Sequence, residues 1–144
     1  MPELTLEKAQ AIVTAALRHA REAKFKPMAV AVLDARGALK AFGAEDGTSL
    51  KRPEIAQGKA HGALSLGQGS RGLAKAATER PHFIAAVTHA VGGSLIPVPG
   101  GVLIRPSSDG PVIGAVGVTG DTSDNDEAAG LAGIKAAGLI GDAG

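Results

Sequence analysis

The stretch VIGAVGVTGDTSDNDEAA, residues 112–129, determines how the rest of this chain is arranged. In its first half branched residues alternate with small ones, a pattern typical of a strand in the middle of a sheet. Gly114, Gly117 and Gly120 punctuate that strand and allow another backbone or a ligand to come close. We therefore predict a central strand over residues 112–119.

The second half of the stretch predicts the start of a helix. Thr122 or Ser123 can cap it, and Asp124, Asp126 and Glu127 follow where the positive end of the helix dipole favours negative charge. Capping and the dipole alone account for these acids. We interpret them as helix-start residues in preference to ligands, and we expect the helix itself to run over residues 126–140.

The residues before this joint predict a helix and a hairpin. Apolar residues recur at three- and four-residue steps after Thr5, which indicates an N-capped helix of about five turns that ends before Pro27. Two short apolar runs follow, residues 28–33 and 38–43, and a turn that contains Asp34 and Gly37 separates them. The pattern favours a β-hairpin in which Asp34 forms the turn.

The passage EIAQGKAHGAL, residues 54–64, carries the most chemistry. Pro53 suits the first turn of a helix whose buried face consists of small residues. Lys59 lies at the edge of that buried face, which leaves two alternatives. Either its aliphatic stem carries the ammonium out to solvent, or the ammonium binds a carboxylate or an anionic ligand. His61 is a surface residue, a hydrogen-bonded core residue or a haem ligand.

The remaining elements complete a single domain over residues 1–144. Helices are predicted over residues 70–80 and 81–90, an extended segment over 94–97, a turn over 99–101 and a strand over 102–105. His82 and His89 lie two helical turns apart, roughly 10 Å, so they cannot chelate one metal ion together, and we interpret both as surface residues. Two hairpins joined through helices favour an antiparallel sheet with flanking helices. The predicted class is therefore mixed α/β in the broad sense, and specifically α+β.

Composition excludes several classes of function. The chain has no cysteine, which rules out disulfides, thiolate nucleophiles and zinc-thiolate sites. A net charge of +1 and the absence of Trp and Tyr argue against nucleic-acid binding. No apolar run spans a membrane and the N-terminal residues lack the pattern of a signal peptide, so we expect a cytoplasmic protein. Small core residues bury little area each, which favours a homo-oligomer.

The ordered motifs of the chain resemble those of a known family. They are AVAVLDARGAL (29–39), AEDG (44–47), EIAQGKAHGAL (54–64), PGGVLIR (99–105), VIGAVGVTG (112–120) and DNDEAAGLAGI (124–134). Together they resemble the GlcG/HbpS-type haem-binding-protein family, which includes the C-terminal domain of PduO-type proteins. The resemblance implies a profilin-like antiparallel sheet of about five strands flanked by helices, and assembly into six or eight subunits.

The resemblance also implies a function, and two hypotheses follow from it. In the first, the protein binds haem at a subunit edge, with His61 as the metal ligand. The ligand-binding residues would then be Arg52, Lys59, His61, Gly100 and Gly101.

In the second hypothesis the chain is a hydrolase or isomerase that acts on a small organic acid in a catabolic pathway. Lys59 or Arg52 would hold the carboxylate, while His61, Glu54 or Asp46 would move protons. The glycines of residues 99–101 could supply an oxyanion site. A structural partner in a larger complex is a third possibility.

Overall fold

The computed structural model describes residues 3–144, and within that range the chain folds into five helices and one five-stranded sheet. The elements are α1 (Leu6–Glu22), β1 (Ala29–Asp34), β2 (Leu39–Ala44), α2 (Arg52–Leu66), α3 (Ser70–Glu79), α4 (Pro81–Ala90), β3 (Gly101–Arg105), β4 (Gly114–Thr119), α5 (Ser123–Ala136) and β5 (Ile140–Asp142). The strands lie in the order β2-β1-β4-β3-β5, and every neighbouring pair is antiparallel. The predicted α+β class, the hairpin and the central strand are confirmed.

The sheet separates two helical layers, because successive side chains of a strand point to opposite faces. Val30, Val32, Val116 and Val118 pack in the main core with residues of α1 and α5. The intervening residues face α2, where Leu33, Leu103 and Ala115 pack against Ala60 and Ala63. The wholly buried strand β4 therefore lies between α5 and α2.

Glycine in β4 allows α2 to lie directly on the sheet. A Cβ atom on Gly117 would overlap the backbone carbonyl of Ala56 in α2. A side chain at this position would push the helix away from the strand, so Gly117 sets the distance between the two layers. The close approach that the sequence predicts here is thus made by a helix of the same chain.

The C-terminal part of the chain differs from the prediction of one helix over residues 126–140. Helix α5 begins earlier, at Ser123, with the Thr122 hydroxyl accepting a hydrogen bond from the N–H of Asn125. It ends at Ala136, and Gly138 follows with a φ of 77°. That left-handed turn redirects the chain, so the last residues form the short strand β5 beside β3. In residues 3–144 no helix combines the length and the apolar character needed to cross a bilayer.

Candidate functional site

Helix α2 carries most of the predicted site residues and presents them to two different environments. Pro53 occupies its first turn, as predicted, and the helix ends at Gly67, which has a φ of 66°. Lys59 lies on the side that packs against the sheet, and His61 lies on the opposite, half-exposed side.

Lys59 is buried and forms an ion pair inside the domain. Its Nζ donates to the Val118 carbonyl oxygen at 2.9 Å and lies 3.0 Å from Asp126 Oδ2. Each of the two charged side chains is 2% exposed. Burial lowers the pKa of Lys59 and raises the pKa of Asp126, while the attraction between the two opposes both shifts. Of the two alternatives for Lys59, the one in which the ammonium reaches a carboxylate is correct.

The interpretation that the acids at the start of α5 only cap the helix and stabilise its dipole is wrong for Asp126. Its Oδ1 accepts a hydrogen bond from the Asp121 N–H at 2.9 Å, and its Oδ2 binds Lys59. The dipole argument holds for Asp124, which is exposed and contacts Arg71 on the surface. The helical period directs Asp126 inward, toward α2, which the composition of the segment alone does not indicate.

Gly100 and Gly101 enclose the buried lysine. A Cβ atom on Gly100 would lie 2.8 Å from Lys59 Nζ. The N–H of Gly101 donates to Ser70 Oγ at 2.6 Å, so it is not directed toward a ligand as an oxyanion site would require. The structure therefore brings both glycines to Lys59, while their part in ligand binding stays a prediction.

His61 has a defined orientation. Its Nδ1 lies 2.7 Å from the carbonyl oxygen of Ser94, in the loop before β3. A carbonyl only accepts, so Nδ1 carries the proton, and in the neutral ring the lone pair is on Nε2. The turn between β1 and β2 borders the ring, since a Cβ atom on Gly37 would lie 3.5 Å from His61 Cδ2.

An uncovered apolar surface lies on the same face of the sheet as α2. Leu39 and Phe42 of β2 pair with Leu33 and Ala31, whose side chains face α2. Leu39 is 51% exposed and Phe42 is 39% exposed, because the helix covers β1, β3 and β4 and leaves the edge strand open. We call Leu39 and Phe42 the β2 strip. Because the turn that borders the His61 ring leads into β2, we take His61 and the β2 strip as the candidate site.

The other predicted site residues lie toward the start of α2. Arg52 Nη1 donates to Thr119 Oγ1 at 2.8 Å, and its Nε donates to Ser49 Oγ at 3.2 Å. Glu54 is exposed in the first turn, about 10 Å along the helix axis from His61. Asp46 is exposed in the loop before the helix. Proton transfer by Asp46 or Glu54 stays a prediction.

Metal-binding clusters are absent from the described part of the chain. Within residues 3–144 no group of three or more His, Asp or Glu side chains is placed to hold a metal ion. His82 and His89 are exposed on α4, as predicted.

The partners of the predicted site residues were not predicted from the sequence; they are Ser94, Ser70 and Thr119. Each reaches its partner from a distant element, and no local pattern marks such a contact.

Comparisons with known proteins agree with this fold. The family model described as "Haem degrading protein HbpS-like" matches residues 4–135. No curated protein shows significant sequence similarity to the chain.

Among solved structures, the crystal structure of HbpS is similar over 92% of this chain and 89% of that one, with 28% identity and a TM-score of 0.77. A double mutant of Streptomyces reticuli HbpS is similar over 94% of this chain and 87% of that one, with 26% identity and a TM-score of 0.78. The haem complex of PduOC shares the fold over 96% of this chain and 97% of that one, with 21% identity and a TM-score of 0.83.

Proposed function

This chain belongs to the family of HbpS-like haem degrading proteins, and from that membership we propose that it binds haem on the face formed by His61 and the β2 strip. The PduOC complex, which contains haem, is the chemical precedent. The geometry of His61 is the observation in this chain that supports haem binding.

The orientation of His61 is the observation that carries the proposal. Metal-binding histidines commonly donate their second ring N–H to a carbonyl or carboxylate, which fixes the ring and increases the basicity of the ligating nitrogen. The 2.7 Å contact between Nδ1 and Ser94 O is of this kind, and Nε2 would then be the nitrogen that binds the iron. With no Cys or Tyr in the chain and Met28 fully buried, His is the strong axial ligand that the chain can offer.

The surroundings of His61 suit the rest of a haem molecule. Leu39 and Phe42 supply apolar surface against which the porphyrin can be removed from water. Arg36, in the turn beside Gly37, donates to Asp34 through Nη2, but its side chain is 84% exposed, so its other N–H groups can pair with a propionate. Haem supplies a redox-active iron when bound, and the protein provides the ligand, the apolar contact and the charge that orient it.

Lys59, which the sequence predicts to be a haem-binding residue, has a structural role in this proposal. Its ammonium is bonded to Asp126 and Val118, so it holds α2 on the sheet and does not bind a propionate. The same contacts weaken the enzyme alternative in the form in which Lys59 holds the substrate carboxylate, because Lys59 would have to leave both partners. They do not bear on the form in which Arg52 holds it. Self-association is also part of the proposal, since the open β2 strip would be covered more completely between subunits.

Titration with haemin tests the proposal. We expect a sharp Soret band that saturates at about one haem per subunit. His61→Ala should shift that band and weaken binding, whereas His82→Ala and His89→Ala, which change exposed histidines of α4, should leave the spectrum as it is. A Soret band unchanged in all three variants would show that none of these histidines is the axial ligand. A protein that gives no saturable spectrum would refute haem binding itself.

A further inference from the structure

A cavity of about 520 Å³ lies at the end of the sheet, on the α1 side, apart from the face that carries His61. It is bordered by the start of the chain before α1, the β1–β2 turn and the segment that leads into β4. Small-molecule sites typically enclose about 300–1,000 Å³. The cavity is therefore large enough for a small organic ligand.

The floor of the cavity is apolar and belongs to the buried core. Leu4 and Ile113 line it and are 4% and 6% exposed, and both belong to the main core. Val112 adds a half-buried branched side chain. These residues favour a ligand with a compact hydrocarbon body.

A β-bulge brings a cation to this cavity. Val32 pairs with Ala41 and Leu33 pairs with Leu39, so Lys40 is the extra residue of β2. Without the bulge, strict alternation would place Lys40 on the face opposite to Ala41; with it, Lys40 lines the cavity on the α1 side. Bulges commonly serve to re-aim a side chain in this way.

Within the described part of the chain, the ammonium of Lys40 forms no ion pair with the other charged residues around the cavity, so it can bind a ligand. Asp34 accepts hydrogen bonds from the N–H groups of Arg36 and Ala38 and from Arg36 Nη2. Burial raises the pKa of Asp34, but these hydrogen bonds outweigh it and lower the pKa below its usual range. The Asp34 carboxylate is thus ionised and satisfied by its own turn. Glu3 lies at the exposed rim, and among the ion pairs of residues 3–144 none involves Lys40.

We propose that this cavity is a second ligand site, which binds a small monocarboxylate with its hydrocarbon body on Leu4 and Ile113 and its carboxylate on Lys40. Arg36 stands at the same rim with its charge paired to Asp34, so Lys40 is the cation that the site offers to a carboxylate. The cavity lies apart from His61 and the β2 strip, none of which lines it, and Arg36 is the one residue named in both proposals.

Hexanoate is a suitable probe, with hexanamide as its uncharged counterpart. In amide NMR spectra of the full chain, hexanoate should shift the signals of Asp34, Lys40, Val112 and Ile113 in a saturable way. Hexanamide should bind more weakly. Lys40→Met, which keeps the stem and removes the charge, should weaken hexanoate binding by about two- to fivefold, as expected for an exposed ion pair.

Two control variants distinguish binding at this cavity from nonspecific binding to surface lysines and from any effect of haem binding. Lys75→Met, at an exposed lysine of α3, should bind hexanoate as the parent protein does. His61→Ala should also leave hexanoate binding unchanged, whether or not the protein binds haem. Shifts spread over other surfaces, equal affinity for hexanoate and hexanamide, or full affinity in Lys40→Met would each overturn the proposal.

Discussion

Lys59 Nζ lies 3.0 Å from Asp126 Oδ2, and the two residues join helices on opposite sides of β4, 67 positions apart in the chain. Both side chains are withdrawn from solvent, and the lysine has a second bond to the Val118 carbonyl. The pair therefore connects α2, β4 and α5 at the point where the glycine-rich strand passes into the acid-rich helix. Each of these buried charges has the other as its oppositely charged partner.

Replacing one member of this ion pair by an uncharged residue should lower the free energy of unfolding. Lys59→Met leaves the Asp126 carboxylate buried without its cation, and we expect a loss of about 3–5 kcal/mol in the free energy of unfolding. The double variant Lys59→Met/Asp126→Asn should recover most of that loss, because no unpaired charge remains. Urea unfolding followed by far-UV circular dichroism measures both, since the chain lacks Trp and Tyr. Equal losses in the single and double variants would contradict the coupling.

Asp121 should make the fold sensitive to acid. Hydrogen bonds from the N–H groups of Lys26 and Thr122 and from the Asn125 side chain lower its pKa from 3.8 to about 2. Because the folded-state pKa is the lower one, this contribution to stability is complete above pH 3.8 and is lost as the pH falls toward 2. Asp121→Asn should flatten the pH dependence of the urea midpoint in that window. A midpoint that falls equally steeply in the variant would show that other carboxylates dominate.

Gly117 should tolerate no side chain. A Cβ atom there would overlap the Ala56 carbonyl oxygen, so Gly117→Ala must displace α2 and should cost about 1–3 kcal/mol or more. Gly130→Ala is the matched control in α5, where the nearest atoms to the new Cβ belong to the side chains of Val116 and Val118 at 3.3 Å and Val102 at 3.6 Å. The gain in helix propensity, about 1 kcal/mol, offsets that tighter packing. Thermal melts should place Gly117→Ala well below Gly130→Ala.

The β2 strip should contribute to haem affinity without contributing much to the fold. Phe42 is 39% exposed, so Phe42→Ser should leave the melting temperature nearly unchanged. If the ring packs on the porphyrin, haemin affinity should fall about tenfold or more, since burying a Phe side chain contributes about 1.5–3 kcal/mol. Ile140→Ser, on the opposite edge strand β5, is the control and should bind haemin normally. Equal affinities in the two variants would place the ligand elsewhere.

The local elements of this fold were predictable because neighbouring residues determine them. Thr5 caps α1 through its hydroxyl, and Asp34 forms the hairpin turn by accepting hydrogen bonds from Arg36 and Ala38. The end of α5 was predicted wrongly because the Ala- and Gly-rich segment offers no periodic signal to mark it. Only the structure shows that residues 140–142 pair with β3.

Of the candidate site, His61 was predicted from the sequence, whereas Leu39 and Phe42 were recognised only from their exposure in the structure. The antiparallel α+β class, the central strand and the family were predictable from the sequence, since these depend on turns, hydrophobic alternation and ordered motifs. Tertiary structure alone decided that Lys59 meets Asp126, that Ser94 orients His61 and that a bulge turns Lys40 toward a cavity. Those contacts join residues far apart in the chain, and their geometry depends on how closely glycine lets α2 approach the sheet.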